Sequence, residues 1–232
     1  MSYVGSTVVS TATDAVILPS HPFVGSHTDQ RTVLVVLTPA TTTITNIYER
    51  FTTTDGGFTA RATYTAQGRK LWLFDKICGP SEAHQYEVHF TPASSGGVNA
   101  VIGFLADFTT TGDPIAAHAF ADSASGTALT LPSVQATNGD DIYALVWSDP
   151  LVSVGRLRPQ SPLSTSGNSS FASNAYMENA REVWQSSSPT GTRQFAVASG
   201  SHEGAIGVIL LVGGFAPSAG GWGVGAIRMG TN

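Results

Sequence analysis

Hydrophobic residues recur along this chain mainly with a period of two. Over residues 98–108, one set of alternate positions holds Val98, Ala100, Ile102, Phe104, Ala106 and Phe108, and the other holds Asn99, Val101, Gly103, Leu105 and Asp107. Side chains two apart on a strand project from one face, so the first set predicts a core face. Residues 58–64 repeat the pattern, with Phe58, Ala60, Ala62 and Tyr64 opposed by Thr59, Arg61 and Thr63. Tyr86, Val88 and Phe90 likewise oppose Glu87 and His89. These segments predict half-buried antiparallel strands. Residues 33–37, 71–74, 142–147 and 206–212 are apolar at nearly every position. Such runs predict central strands whose outer face is covered by a second layer or a neighbouring subunit.

Turn signals separate the runs: Thr38-Pro39, Asp55-Gly56-Gly57, Cys78-Gly79-Pro80, Ser95-Gly96-Gly97, Asn138-Gly139-Asp140 and Gly213-Gly214. Short strands at this spacing predict an all-β fold, a sandwich or a barrel. Helix is expected once, over residues 173–184, where Ser173 or Asn174 caps a turn holding Met177, Glu178, Ala180 and Arg181. An irregular strand over residues 181–184 is the rival there. Residues 153–173, rich in Pro, Ser and Asn, read as a long surface loop. Residues 213–232 hold seven glycines among Phe215, Trp222, Val224, Ile227 and Met229. Glycine this dense opposes a helix or strand standing alone, so the tail is expected to pack on its own sandwich or on another chain. The expected organisation is one β-sandwich domain over residues 1–216, with no exact internal repeat, and a Gly-rich tail over residues 217–232.

Composition narrows the function. Of the 232 residues, 41% are hydrophobic, enough for a core, while only 12% are charged, about half the globular norm of roughly 25%. About a fifth are Ser or Thr, so the polar surface is built from neutral side chains. The net charge of −5 argues against nucleic acid as a partner. No apolar stretch is long enough for a membrane span, and the first residues have neither the basic nor the apolar region of a secretory signal. The single cysteine, Cys78, excludes an intrachain disulfide and a multi-thiolate metal site.

Candidate chemistry is sparse. Gly200-Ser201-His202-Glu203-Gly204 sets a serine, a histidine and an acid side by side, but neighbours on an extended chain point apart. It reads as a polar hairpin turn. Glu87 and His89 share a strand face near Glu82 and His84 without a metal-binding spacing, so neither metal nor cofactor is expected. Cys78 reads as a small buried hydrophobe. Trp72, Trp147 and Trp184 read as packing residues. Trp222, flanked by glycines, reads as an interface residue or a sugar-stacking platform, with Phe215, Val224 and Ile227 as companion interface candidates.

The order of segments carries a resemblance. Arg31-Thr32-Val33-Leu34-Val35-Val36 is followed by Leu71-Trp72-Leu73-Phe74, the strand over residues 86–90, the alternating run 98–108, Gly139-Asp140-Asp141-Ile142-Tyr143-Ala144-Leu145, and Gly204-Ala205-Ile206-Gly207-Val208-Ile209-Leu210. From about Val8 to Phe215 this resembles the jelly-roll domain of virion proteins of tailed phages, notably minor tail and capsid-surface proteins of actinobacterial phages. The resemblance implies an antiparallel two-sheet jelly-roll-like β-sandwich. It also implies a non-enzymatic virion component, made in the bacterial cytoplasm, that acts by contact with other virion proteins and with copies of itself. Two alternatives stand beside it: a lectin-type module binding host-surface glycans, and a hydrolase using His202 or the Glu87–His89 face.

Overall fold

The computed structural model describes residues 3–11, 15–17, 30–79, 85–91, 101–109, 115–149, 157–160, 164–171, 175–198 and 200–212. They form sixteen β-strands and, among the described residues, no helix. The first eight are β1 (Tyr3–Thr11), β2 (Ala15–Ile17), β3 (Gln30–Pro39), β4 (Thr43–Glu49), β5 (Thr59–Ala66), β6 (Arg69–Ile77), β7 (Tyr86–Thr91) and β8 (Val101–Thr109). The second eight are β9 (Ala117–Ser123), β10 (Ala128–Leu131), β11 (Asp141–Asp149), β12 (Leu157–Pro159), β13 (Ser164–Phe171), β14 (Ala175–Val183), β15 (Arg193–Val197) and β16 (Gly204–Val212).

The strands build four antiparallel sheets, and the two halves of the chain build them alike. The first half makes β1-β8-β3-β6-β5 and β2-β7-β4. The second makes β9-β16-β11-β14-β13 and β10-β15-β12, the same order with every strand number raised by eight. The registers agree in detail. Val36 on β3 lies opposite Gly103 on β8, as Val146 on β11 lies opposite Gly207 on β16. Leu37 faces Ile102 as Trp147 faces Ile206. A bulge interrupts β5 between Ala60 and Ala62, opposite Phe74 and Leu73, and β13 is interrupted at the equivalent place, between Thr165 and Gly167. A matching bulge is a strong marker because it re-aims the strand locally. The chain therefore repeats one eight-stranded topology, although the sequence reading finds no repeat.

The two five-stranded sheets face each other across a shared core. Val33, Val35 and Leu37 of β3 and Leu71 and Leu73 of β6 meet Tyr143, Leu145 and Trp147 of β11 and Ile206, Val208, Leu210 and Val212 of β16. Tyr64 of β5 stacks on Phe120 of β9, so β5 lies over β9. This is the arrangement produced by an approximate two-fold axis running along the strands between β3 and β11. Each large sheet buries its other face as well. Leu34, Val36 and Phe74 pack with Ile47, Tyr86, Val88 and Phe90, while Ile142, Ala144, Val146, Ile209 and Leu211 pack with Leu129, Leu131 and Phe195. Four layers result, which accounts for the runs that are apolar on both faces. Their outer faces are covered by the chain's own small sheets, where the sequence reading also admitted a neighbouring subunit.

Three local expectations are corrected. The segment expected to be a helix carries strand β14, paired on one side with β11 and on the other with β13. Two ladders of hydrogen bonds outweigh the helical spacing of Met177, Ala180 and Arg181. The segment 153–173, expected as a loop, contains β12 and β13. Phe58, just before β5, does not share a face with Ala62 and Tyr64 of that strand: Phe58 packs in the outer layer and the other two in the central one, because the bulge reverses the alternation between them.

Candidate functional site

At the end where β3 and β11 begin, the central layer closes in ion pairs. Arg61, the extra residue of the β5 bulge, donates from Nε to Oδ2 of buried Asp75 at 2.7 Å, with Nη2 at 2.6 Å from the same oxygen. In the second half, Arg181 donates to Asp141 from Nε and Nη2 at 3.1 and 2.9 Å to Oδ1, and from Nη2 at 3.0 Å to Oδ2. Asp75 lies opposite Val33 and Arg181 opposite Tyr143, equivalent places in the repeat, so the two halves put opposite charges at one position. Burial pushes the Asp141 carboxyl above its ordinary range, and Arg181 pulls part of that shift back. His118, on β9 beside this end, is held below the usual imidazole range by burial and then by the Arg61 charge. Guanidinium groups occupy both carboxylates, so this cluster closes the layer.

Along the side, a polar seam ties β5 to β9. The rings of Tyr64 and Phe120 stack at 5.2 Å, and His118 meets Phe120 edge-on at 5.4 Å. Asp122 accepts hydrogen bonds from Tyr64 Oη and from Gln67 Nε2, the latter at 2.7 Å. These bonds favour the carboxylate, holding Asp122 below its ordinary range and raising the Tyr64 phenol. At the opposite end of the layer, Leu37, Gln67 and Arg69 of the first half and Trp147, Ser148 and Gly204 of the second line a partly open pocket of about 10 Å³. That is room for about one water. Trp147 Nε1 and Ser148 Oγ are buried without a hydrogen bond, so a water suits this end better than an organic substrate.

The residues singled out from sequence fall as follows. In 200–204, Ser201 and Glu203 are exposed while His202 is fully buried, so the three side chains diverge. The segment joins β15 to β16, which belong to different sheets, so it is a crossing between layers and not a hairpin turn. Both ring nitrogens of His202 lack a hydrogen-bond partner, and its backbone bridges to Gly126. Glu87 and His89 do meet, Nε2 to Oε2 at 3.3 Å, but among the described residues no three His, Cys, Asp or Glu side chains converge as metal ligands. Cys78 is buried at 3.1 Å from Thr32 Oγ1. Phe215, Trp222, Val224 and Ile227 lie outside the described residues, as do Glu82 and His84. Sequence reasoning did not single out Phe51, Ile77 and Val183, the large hydrophobic side chains that the described surface exposes. The available signal for Phe51 was a bulky aromatic among the Thr, Asp and Gly of a turn.

In sequence, the chain matches no protein-family model and no curated protein. Among the described residues, no helix is long and apolar enough to cross a membrane.

Proposed function

We propose that each half is a jelly roll and that the chain is a non-enzymatic structural subunit of a virion, a minor tail or capsid-surface component of a tailed phage. The observation that carries this reading is the strand order itself. The sheets β1-β8-β3-β6-β5 and β2-β7-β4 contain the neighbours 1-8-3-6 and 2-7-4 that a chain doubled back as Greek keys produces, with β5 returning beside β6 in the larger sheet, and eight-stranded units of the Greek-key kind serve in viral capsid and lectin domains. Fold alone does not fix function; the resemblance of the segment order to phage virion proteins supplies the second support. The tandem arrangement suits a building block, because two units share one core and present a rigid body for contacts. The contacts belong to its ends and edges, since the apolar faces of the central strands are already covered.

The test is mass spectrometry of gradient-purified particles from the lysate in which the chain is made. The expected result is its co-sedimentation with particles in a fixed ratio to the major capsid protein. Its confinement to the soluble fraction overturns the reading. Tight binding of that soluble chain to host cell-wall glycans would put the lectin-type reading in its place.

A further inference from the structure

We infer that Asn138-Gly139 is a modification site that the fold keeps shut: deamidation there follows opening of the turn that leads into β11, not exposure of the asparagine. The inference goes beyond the assembly reading and does not rest on it. Asn138-Gly139 is the one Asn-Gly pair of the 232 residues. In such a pair the backbone nitrogen of the glycine attacks the side-chain amide carbon of the asparagine. The new N–C bond closes a succinimide ring while the amide C–N bond breaks. The proton of the glycine N–H ends, through solvent, on the ammonia that leaves. Water then opens the ring at either carbonyl, giving aspartate or isoaspartate, with no oxidant or reductant involved. Glycine favours the attack because it has no side chain to hinder the approach.

The turn both requires that glycine and withholds its nitrogen. Asp140 N donates to Thr137 O at 3.1 Å, which closes a β-turn with Asn138 and Gly139 at its centre. Gly139 has a φ of 92° and the φ of Asn138 is not positive, the pattern of a type II turn, whose third position favours glycine. A Cβ at Gly139 would meet nothing within 4 Å, so the backbone angle, not space, selects the residue. The Asn138 side chain is exposed, so burial does not protect its amide. Protection falls to the nucleophile. Gly139 N donates to Trp184 O at 2.8 Å, and an N–H committed to a carbonyl is not free to lose its proton and turn to the asparagine. Further bonds hold the turn closed. Asp140 Oδ2 accepts from Thr137 N at 2.6 Å and from Thr137 Oγ1 at 2.7 Å, and Trp184 N donates to Asp140 O at 2.8 Å.

Two consequences follow from this placement. Trp184 comes directly after Val183, the last residue of β14, and Asp140 directly before Asp141, the first of β11. The bonds that restrain Gly139 therefore belong to the end of the β11–β14 pair, and the nitrogen is released when that end opens. Where opening and closing are faster than the attack, deamidation runs at its unfolded rate multiplied by the open population. The same opening frees the Gly139 amide for hydrogen exchange, so the two reactions report one population. The change is also permanent. Isoaspartate carries the chain through Cβ and adds a backbone atom between Thr137 and Asp140, so the turn cannot close again on the same bonds. Either product places a new carboxylate close to Asp140 and Asp141, both buried.

The test incubates the full chain at mildly alkaline pH and follows deamidation at Asn138 by peptide mass spectrometry. The same chain unfolded in guanidinium chloride gives the reference rate, and hydrogen exchange gives the protection of the Gly139 amide. Deamidation of the folded chain is expected to be slower than the reference by about tenfold or more, and by the same factor as the Gly139 protection. Asp140→Ala removes the acceptor that holds Thr137. It is expected to raise the rate and lower the protection by one common factor, with an unchanged circular dichroism spectrum. If that variant fails to fold, the wild type across denaturant concentrations below its transition carries the same comparison. Deamidation of the folded wild type at the reference rate overturns the inference. So does a suppression that does not track the Gly139 protection, since something other than this bond would then guard the asparagine. An Asn138 that stays intact in the unfolded chain overturns it as well.

Discussion

The two halves of the molecule share a strand order and differ in how they fill it. In the first half the outer core is aromatic: Phe74, Tyr86 and Phe90, with Phe58 and Trp72 at its margin. In the second it is built from small and aliphatic residues, Ala136, Ala144, Ala180, Ala205, Ile142 and Ile209, with Phe195 as its buried aromatic. The small residues bring the layers close together. A Cβ at Gly207 would lie 3.0 Å from Leu131 Cδ2, Leu145 O and Val146 Cγ2. At the charged end the sign is exchanged, with Asp75 in one half where the other has Arg181. Topology and register thus tolerate different side chains where the layers adjust their spacing and buried charges stay paired.

Substitutions in the shared layer should break both halves at once. Trp147→Ala, at a fully buried site contacting both large sheets, is expected to cost about 3–5 kcal/mol and to leave a single cooperative transition in urea. Separate transitions for the halves would show that the layer does not couple them. Arg181→Met leaves Asp141 buried without its guanidinium, an expected loss of about 2–4 kcal/mol, because part of the arginine faces water. Paired with Asp141→Asn in a double-mutant cycle, it should show a favourable coupling; a coupling near zero contradicts the bidentate geometry. Gly207→Val probes the close packing of the second half alone. Overpacking there should cost about 1–3 kcal/mol, read as a lower urea midpoint.

The smallest effects are in pH. The folded-state pKa of Asp141 is raised, so the folded protein binds that proton more readily than the unfolded chain does. Its contribution to stability is greatest when protonated and is lost as pH rises from about 3.8 through the raised value. Wild type should therefore gain on Asp141→Asn as pH falls from 7 toward 4. Asp122 has the opposite sign: its lowered pKa gives stability above about 3.8 that is lost as pH falls through the folded value. Wild type should lose ground to Asp122→Asn below that pH. Urea midpoints across pH 2.5–7 read both, and identical trends for the two variants would contradict the assignment.

The central strands were legible in sequence because burial on both faces leaves an unbroken apolar run, as at residues 33–37 and 206–212. The repeat was not. Val33-Leu34-Val35-Val36-Leu37 occupies the places of Tyr143-Ala144-Leu145-Val146-Trp147, and a single residue is common to both. What survives is Ile102-Gly103 against Ile206-Gly207, too short to find before the registers align it. Strand β14 was obscured because Glu178 and Asn179 are polar yet buried, which breaks the alternation that marks a strand. Phe51 was hidden for a different reason: exposure and a positive φ leave no periodic trace. The charged end was equally silent, since Asp75 and Arg61 come together only through a bulge.

The account depends most on the two halves being locked across one core. Native-state hydrogen exchange tests this directly, because amides that open only with the whole molecule report its global stability. The expected result is that the slowest amides of β3 and β11 exchange with the same free energy and lose protection together in Trp147→Ala. Distinct free energies for β3 and β11, with only β11 affected by that substitution, would mean two independent units side by side and would contradict the account.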